Sequence, residues 1–472
     1  MTYNKIIFGY DVMTYNGEIP NCLHPKFLNT IHNASDFDFR FCGEGYQKRW
    51  NNDWHLYNSN FWNDYVEKKS IYDIVNNHRS KSWFYLIEPF GNLDYFFCNH
   101  HFYNDFALNN ISSVALEHIK NGNGNLLINY IIDGGLGMTK PNFKKIIEFT
   151  RSNNIPDNKV YLIFQDFRLK RNLEKMGAEY NVINFNLAQL SKSQEFNNTI
   201  DNPDFSYWAN SSHEPQVGKM GKIKSSIASF EDFKNSIGTD KKDFLLLNRH
   251  WKLHRLLLMS KLHKLGLDNN LVSWDNKFYH QNVVDAFLEH DNNIEFADLI
   301  KNESRHLDVT DLTKIAGYGF EDKELYLNSY ISLVSESIYF QIREEGDAYV
   351  EFPTGYLSEK IWKPIGHCQP FILAGPAHSL EYIKSIGYKT FHPYIDESYD
   401  NETEDFTRLN MIMAEVEKFT NKSKEEKDQF LKDIMEVCRH NQELFLSYSK
   451  QKFRIECDDV IVELREKSTK LF

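Results

Sequence analysis

The run Asn125-Leu126-Leu127-Ile128-Asn129-Tyr130-Ile131-Ile132 constrains the fold of this chain most tightly. An almost unbroken apolar run ended by Asp133-Gly134-Gly135-Leu136-Gly137 reads as a strand buried on both faces, because alternation disappears when neither face meets water. Pro141 to Asn153 follows with Phe143, Ile146, Ile147 and Thr150 on one helical side, and Val160-Tyr161-Leu162-Ile163-Phe164 returns as a strand. Strand, helix and strand in that order make a parallel crossover. Lys170 to Gly177 and Tyr180 to Phe185 repeat the pattern, and Ile6 to Tyr10 opens the chain as a strand. An α/β unit on a parallel sheet is therefore predicted for residues 1–210.

At 472 residues the chain exceeds what one hydrophobic core usually covers, so two domains are expected. Between roughly 193 and 235 the wording turns polar, with Asn197-Asn198, Asn202-Pro203 and Ser211-Ser212, which predicts a linker or surface excursion. A second α/β domain, 235–402, opens with the strand Phe244 to Arg249 and the helix Leu256 to Leu265. It continues with strands at Ser329 to Val334 and Pro370 to Leu373, and with a helix from Ser379 closed by Gly387. Residues 403–472 read as a charge-rich helical tail. Leu431, Ile434, Met435 and Cys438 share one stripe of it, suited to packing back on the first domain or to pairing chains.

A formal charge of -12 argues against a general nucleic-acid binder, since phosphate-backbone affinity needs a dense basic face. It leaves room for one local basic cleft. The six cysteines stand without paired spacing, which fits reduced thiols better than a disulfide framework or a zinc site. No run of about 18 apolar residues occurs, so a cytoplasmic protein without a membrane anchor is expected. The aromatic segments Trp83-Phe84-Tyr85 and Tyr95-Phe96-Phe97 are read as core packing rather than as sugar platforms.

Four loops at predicted strand ends carry chemistry. In Tyr356-Leu357-Ser358-Glu359-Lys360, a helix start offers an N-cap hydroxyl, a carboxylate for a vicinal diol and an ammonium for phosphate, and Pro364 keeps the helix short. Asn248-Arg249 and His254-Arg255 follow another strand, with guanidiniums suited to a diphosphate; Arg255 opens a helix, where a cation is disfavoured unless an anion is near. Glu336-Ser337 closes a third strand. Asp133, flanked by glycines that let a ligand approach, is a candidate general base, with Glu88 in reserve. A pyrophosphate, a ribose and an activated hydroxyl are what such groups would serve together. Gly122-Asn123-Gly124 is read as a turn. His100-His101, His118, Asp201 to Asp204 and Asp396-Glu397 lack metal-ligand spacing or a strand context, so no metal site and no obligatory cofactor are expected.

The order Arg255, Glu336-Ser337, Tyr356-x-Ser-Glu-Lys360 and Pro370-Phe-Ile-Leu-x-Gly375 resembles the donor-binding half of the alpha-1,3-fucosyltransferases and related phage and bacterial glycosyltransferases, over about 240–395. The resemblance implies a GT-B-like arrangement, two Rossmann-like domains facing across a cleft. It also implies an inverting transfer from a nucleotide-diphosphate sugar without an obligatory metal. Arg255 and Lys360 would then hold the diphosphate, Glu359 the ribose, and Glu336 would lie near the donor sugar. The chain departs from the family in having Ser337 directly after Glu336, where the family has Asn then Ser, and in the extra residues Ile338 to Gly355. The acceptor is left open, whether a glycan or a hydroxylated DNA base. Outside enzymes, the alternative is a binding module for nucleotide sugars or glycans.

Overall fold

The computed structural model describes residues 6–10, 13–15, 18–21, 66–87, 111–130, 140–184, 226–248, 250–305, 322–340 and 355–447. Isolated positions at 108, 189, 192, 193, 196, 197, 199, 200 and 307 are described as well. The chain divides into two compact units, built in the main on Met1–Phe185 and on Asn186–Arg343 with Gly355–Phe453.

In the first unit the apolar runs become strands of one parallel sheet. Its members are β1 (Ile6–Tyr10), β4 (Val66–Ser70), β5 (Trp83–Ile87), β6 (Gly124–Tyr130), β7 (Val160–Phe164) and β8 (Asn181–Asn184), in the order β4-β1-β5-β6-β7-β8. A separate antiparallel pair joins β2 (Met13–Tyr15) to β3 (Glu18–Asn21). The crossovers include α1 (Ile71–Asn77), α2 (Ser113–Asn121), α3 (Lys140–Ser152) and α4 (Leu169–Lys175). Hydroxyls of Ser70 and Ser112 accept from the N–H groups of Asp73 and Ala115 and so start α1 and α2. Phe143, Ile146, Ile147 and Thr150 are buried, as their spacing predicts, and every residue of β7 is buried. Trp83 lies across the two neighbouring strands. A Cβ at Gly9 or at Gly124 would fall 2.6 Å from its indole, so two glycines make the space that one large ring fills.

The second unit contains a parallel sheet of β9 (Lys242–Leu247), β10 (Leu271–Ser273), β11 (Ser329–Ser335) and β12 (Phe371–Ala374), in the order β10-β9-β11-β12. Its helices are α5 (Phe230–Ser236), α6 (Leu253–Lys264), α7 (Gln281–Asp291), α8 (Ile294–Asn302), α9 (Lys323–Leu327), α10 (Glu359–Gly366), α11 (Ser379–Ser385), α12 (Asp405–Thr420) and α13 (Lys424–Leu446). From β9 the chain steps outward to β10, then returns to place β11 on the other side. The strand order therefore reverses between β9 and β11, and the crevice at the carboxyl ends of such a pair is where open α/β sheets take ligands.

Two expected boundaries shift. The stretch read as a linker contains buried anchors: Phe196 packs edge-on to His367 and Phe445, and the Ser193 hydroxyl donates to the Phe445 carbonyl at 2.8 Å. The described part of the tail packs within the second unit. Phe419 on α12 meets Phe244 of β9, Lys427 on α13 pairs with Asp243 at 2.6 Å, and Gln442 donates to the carbonyls of Ala228 and Gly366, both at 2.7 Å. Both helices belong to the second unit because its sheet buries their apolar stripes. Among the described residues no helix is long and apolar enough to cross a membrane.

Candidate functional site

β9 ends at Leu247 and β11 at Ser335, and the polar residues that follow each strand converge. The Asn248 N–H donates to the Ser273 hydroxyl at 3.2 Å, while its side-chain Oδ1 accepts from the Ser335 hydroxyl at 3.2 Å. Glu336 is wholly buried; its N–H bonds to the Ala374 carbonyl at 2.9 Å, continuing the ladder with β12. Its Oε2 accepts from the N–H of Ser337 at 3.2 Å, the N–H of Ser358 at 3.0 Å and the Ser358 hydroxyl at 2.5 Å. Oε1 of Glu336 and Nδ2 of Asn248 have no hydrogen-bond partner among the described residues. Burial pushes the Glu336 carboxyl upward, with the Lys360 charge and the Ser358 hydrogen bonds opposing it.

Ser358 caps α10, its hydroxyl accepting from the Lys360 N–H at 3.4 Å. Pro364 sits inside this short helix, as expected. The Lys360 ammonium donates to the hydroxyls of Ser337 at 3.1 Å and Ser358 at 3.2 Å, and to the Glu359 carboxylate at 2.8 Å. Its side chain keeps 25% of its surface exposed, so an incoming anion can reach it. Burial raises the Glu359 carboxyl, but the charge and hydrogen bond of Lys360, helped by Lys363, outweigh it and bring the group down to about 2. Ionised, it is an acceptor only, suited to a diol.

Arg255 stands in the first turn of α6 and is 3% exposed. Its Nε donates to the Ser335 hydroxyl at 3.0 Å, Nη1 to the His250 carbonyl at 2.9 Å, and Nη2 to the carbonyls of Ser335 at 3.3 Å and Glu336 at 3.2 Å. This corrects the expected role. Beyond the end of β9 the carbonyls at the end of β11 need donors, and Arg255 supplies them, which leaves little of its fork for a ligand. Burial lowers the guanidinium to about 10, still protonated at neutral pH, with Glu336 and Glu359 pulling it back up.

Two neighbours complete the cluster: Lys252, which has no role in the sequence reading, and His254, which enters it only beside Arg255. Lys252, at the N-cap of α6, donates from its ammonium to the Ser337 carbonyl. His254 donates from Nε2 to the Glu336 carbonyl at 3.1 Å, and burial, then Arg255 and Lys252, hold its pKa well below the usual value. Its ring is therefore neutral. Tyr356 is buried two residues before the cap. Arg249, Asp133 and Glu88 lie outside the described residues.

In a chain of net charge -12, four cations (Lys252, Arg255, Lys360 and Lys363) thus stand around two carboxylates at the β9/β11 switch. The local excess favours an anion. The turn after β12 offers no equivalent, because Asp400 fills the start of α11, its carboxylate accepting from the N–H groups of Leu380 and Glu381 at 2.9 Å each. Among the described residues, no group of three or more His, Cys, Asp and Glu side chains gathers as metal ligands do. Compared with protein-family models, with curated proteins and with solved structures, the chain matches none.

The low Glu359 carboxyl carries a pH signature. A folded pKa near 2 against an ordinary 4.5 contributes stability that is complete above about 4.5 and is lost as pH falls toward about 2. The advantage in melting temperature of the wild type over Glu359→Gln should therefore shrink between pH 5 and pH 2.5. A gap that stays constant across that range would contradict the Lys360 pairing.

Proposed function

We propose that the protein is an inverting glycosyltransferase, moving a sugar from a nucleotide-diphosphate sugar to a hydroxyl acceptor. The observation that carries this reading is the gathering of Lys360, Lys252 and the Ser337 and Ser358 hydroxyls at a topological switch point, beside an ionised Glu359. Lys360 takes the diphosphate, Glu359 the ribose diol, and the buried free oxygen of Glu336 faces the donor sugar. Arg255 and Asn248 hold the strand ends that present them. As the leaving diphosphate gains charge, cations already in place stabilise the transition state more than the ground state. Asp133, with Glu88 in reserve, is proposed as the base that takes the acceptor proton, in a GT-B-like pairing of the two units and without an obligatory metal. The acceptor is a hydroxyl on a glycan or on a modified DNA base, and the site of action the cytoplasm.

A thermal-shift panel of GDP-, UDP- and ADP-sugars, followed by assay of donor consumption, tests the reading. One donor should raise the melting temperature and be turned over. Binding without turnover would favour a nonenzymatic module, and no shift with any donor would remove the proposal.

A further inference from the structure

The turn after β11 is gripped by a helix that the sequence assigned to a separate tail. Arg408, on the first turn of α12, is 1% exposed. Its Nε donates to the Gly375 carbonyl at 3.3 Å and its Nη1 to the Glu402 carbonyl at 3.0 Å. Its Nη2 donates to the Tyr339 carbonyl at 3.4 Å and to the Asp405 carboxylate at 2.6 Å. The guanidinium also lies 4.6 Å from the centre of the Tyr339 ring, and the Tyr339 hydroxyl donates to the Asp405 carbonyl at 3.2 Å. That same ring stacks on His254, centroids 5.1 Å apart and planes 18° from parallel, and His254 in turn bonds the Glu336 carbonyl.

Gly375 closes the other side. A Cβ there would meet Glu336 Cγ at 3.4 Å, so the turn after β12 rests directly on the buried carboxylate side chain. Arg408 therefore touches both turns that enclose Glu336, one through Gly375 and the other through Tyr339. A buried ion pair is seldom a net source of stability. What a planar guanidinium supplies is direction, several bonds fixed in one plane.

We infer that Arg408 is a positioning residue of the anion site, fixing the turn Glu336 to Tyr339 through Tyr339 and His254 and so setting where Glu336, Ser337 and the Lys360 ammonium stand. This rests on the reading of the β9/β11 switch as a diphosphate site. The test is calorimetric titration with inorganic pyrophosphate at a temperature where circular dichroism shows each variant folded. Arg408→Lys should weaken binding roughly tenfold, and Tyr339→Leu similarly, while Tyr339→Phe, which keeps the ring between Arg408 and His254, recovers most of that loss. Val416→Ala, about two turns along the same buried face of α12, should lower the melting temperature and leave pyrophosphate affinity unchanged. If Arg408→Lys and Tyr339→Leu bind like the wild type while Lys360→Ala does not, the positioning role is overturned and the diphosphate reading stands. If Val416→Ala weakens binding as much as Arg408→Lys, the effect is helix stability and the inference also falls. If the wild type and Lys360→Ala are equally indifferent to pyrophosphate, the diphosphate reading fails and the inference falls with it. Should Arg408→Lys not fold, the Tyr339 pair decides alone.

Discussion

Lys360→Ala is expected to lower donor turnover roughly 10²–10³-fold, the scale seen when one preorganised donor to developing charge is removed. The loss has two parts. The ammonium proposed to meet the diphosphate is removed, and the Glu359 carboxylate, 2.8 Å from that ammonium in the wild type, keeps only the weaker pull of Lys363. Because the side chain keeps a quarter of its surface in solvent, the fold should survive with a melting temperature lowered by loss of the Glu359 pairing, while kcat collapses at temperatures where the variant is still folded. Single-turnover assay of donor consumption separates the two. Full turnover by the variant with every accepted donor would show that Lys360 is only a helix-start charge.

Lys427→Met should cost about 3–5 kcal/mol of stability, read by urea unfolding. The ammonium bonds Asp243 on β9 at 2.6 Å and the Thr420 carbonyl at 3.1 Å, and both charged side chains are about nine-tenths buried. Burial already pushes the Asp243 carboxyl upward against the pull of Lys427. Removing the cation leaves a buried acid with only the weaker pull of Lys242, the more costly half of a broken ion pair. Asp243→Leu combined with Lys427→Met should recover most of the loss, because two apolar groups of similar size restore packing without an orphaned charge. A single variant within 1 kcal/mol of the wild type would mean that α13 is not anchored to β9 in this way.

How much of this was legible in the sequence depends on how local each signal is. The crossover from β6 through α3 to β7 was readable because each strand is buried on both faces and so lacks alternation, and because the helix places Phe143, Ile146 and Ile147 on one side. Ser358, Glu359 and Lys360 were readable for the same reason: cap, carboxylate and ammonium are consecutive. Arg255 was found by its place at a helix start. Its partners, the Ser335 and Glu336 carbonyls some eighty residues on, were not, since only the sheet order brings that strand end beside α6. Arg408 gave no signal at all. An arginine in a charged helical stretch reads as solvated, and its burial exists only because α12 packs beside the turns after β11 and β12. Phe196 gave no signal either, since a polar stretch conceals a single buried anchor.

The central claim is that a diphosphate sits at the carboxyl ends of β9 and β11. A crystal structure of the protein with the nucleotide-diphosphate sugar that most raises its melting temperature tests it directly. Phosphate oxygens should lie within hydrogen-bond reach of the Lys360 ammonium and the Ser337 hydroxyl, with the ribose diol on Glu359. Density for the diphosphate anywhere else, with those three side chains unchanged and empty-handed, would contradict the account.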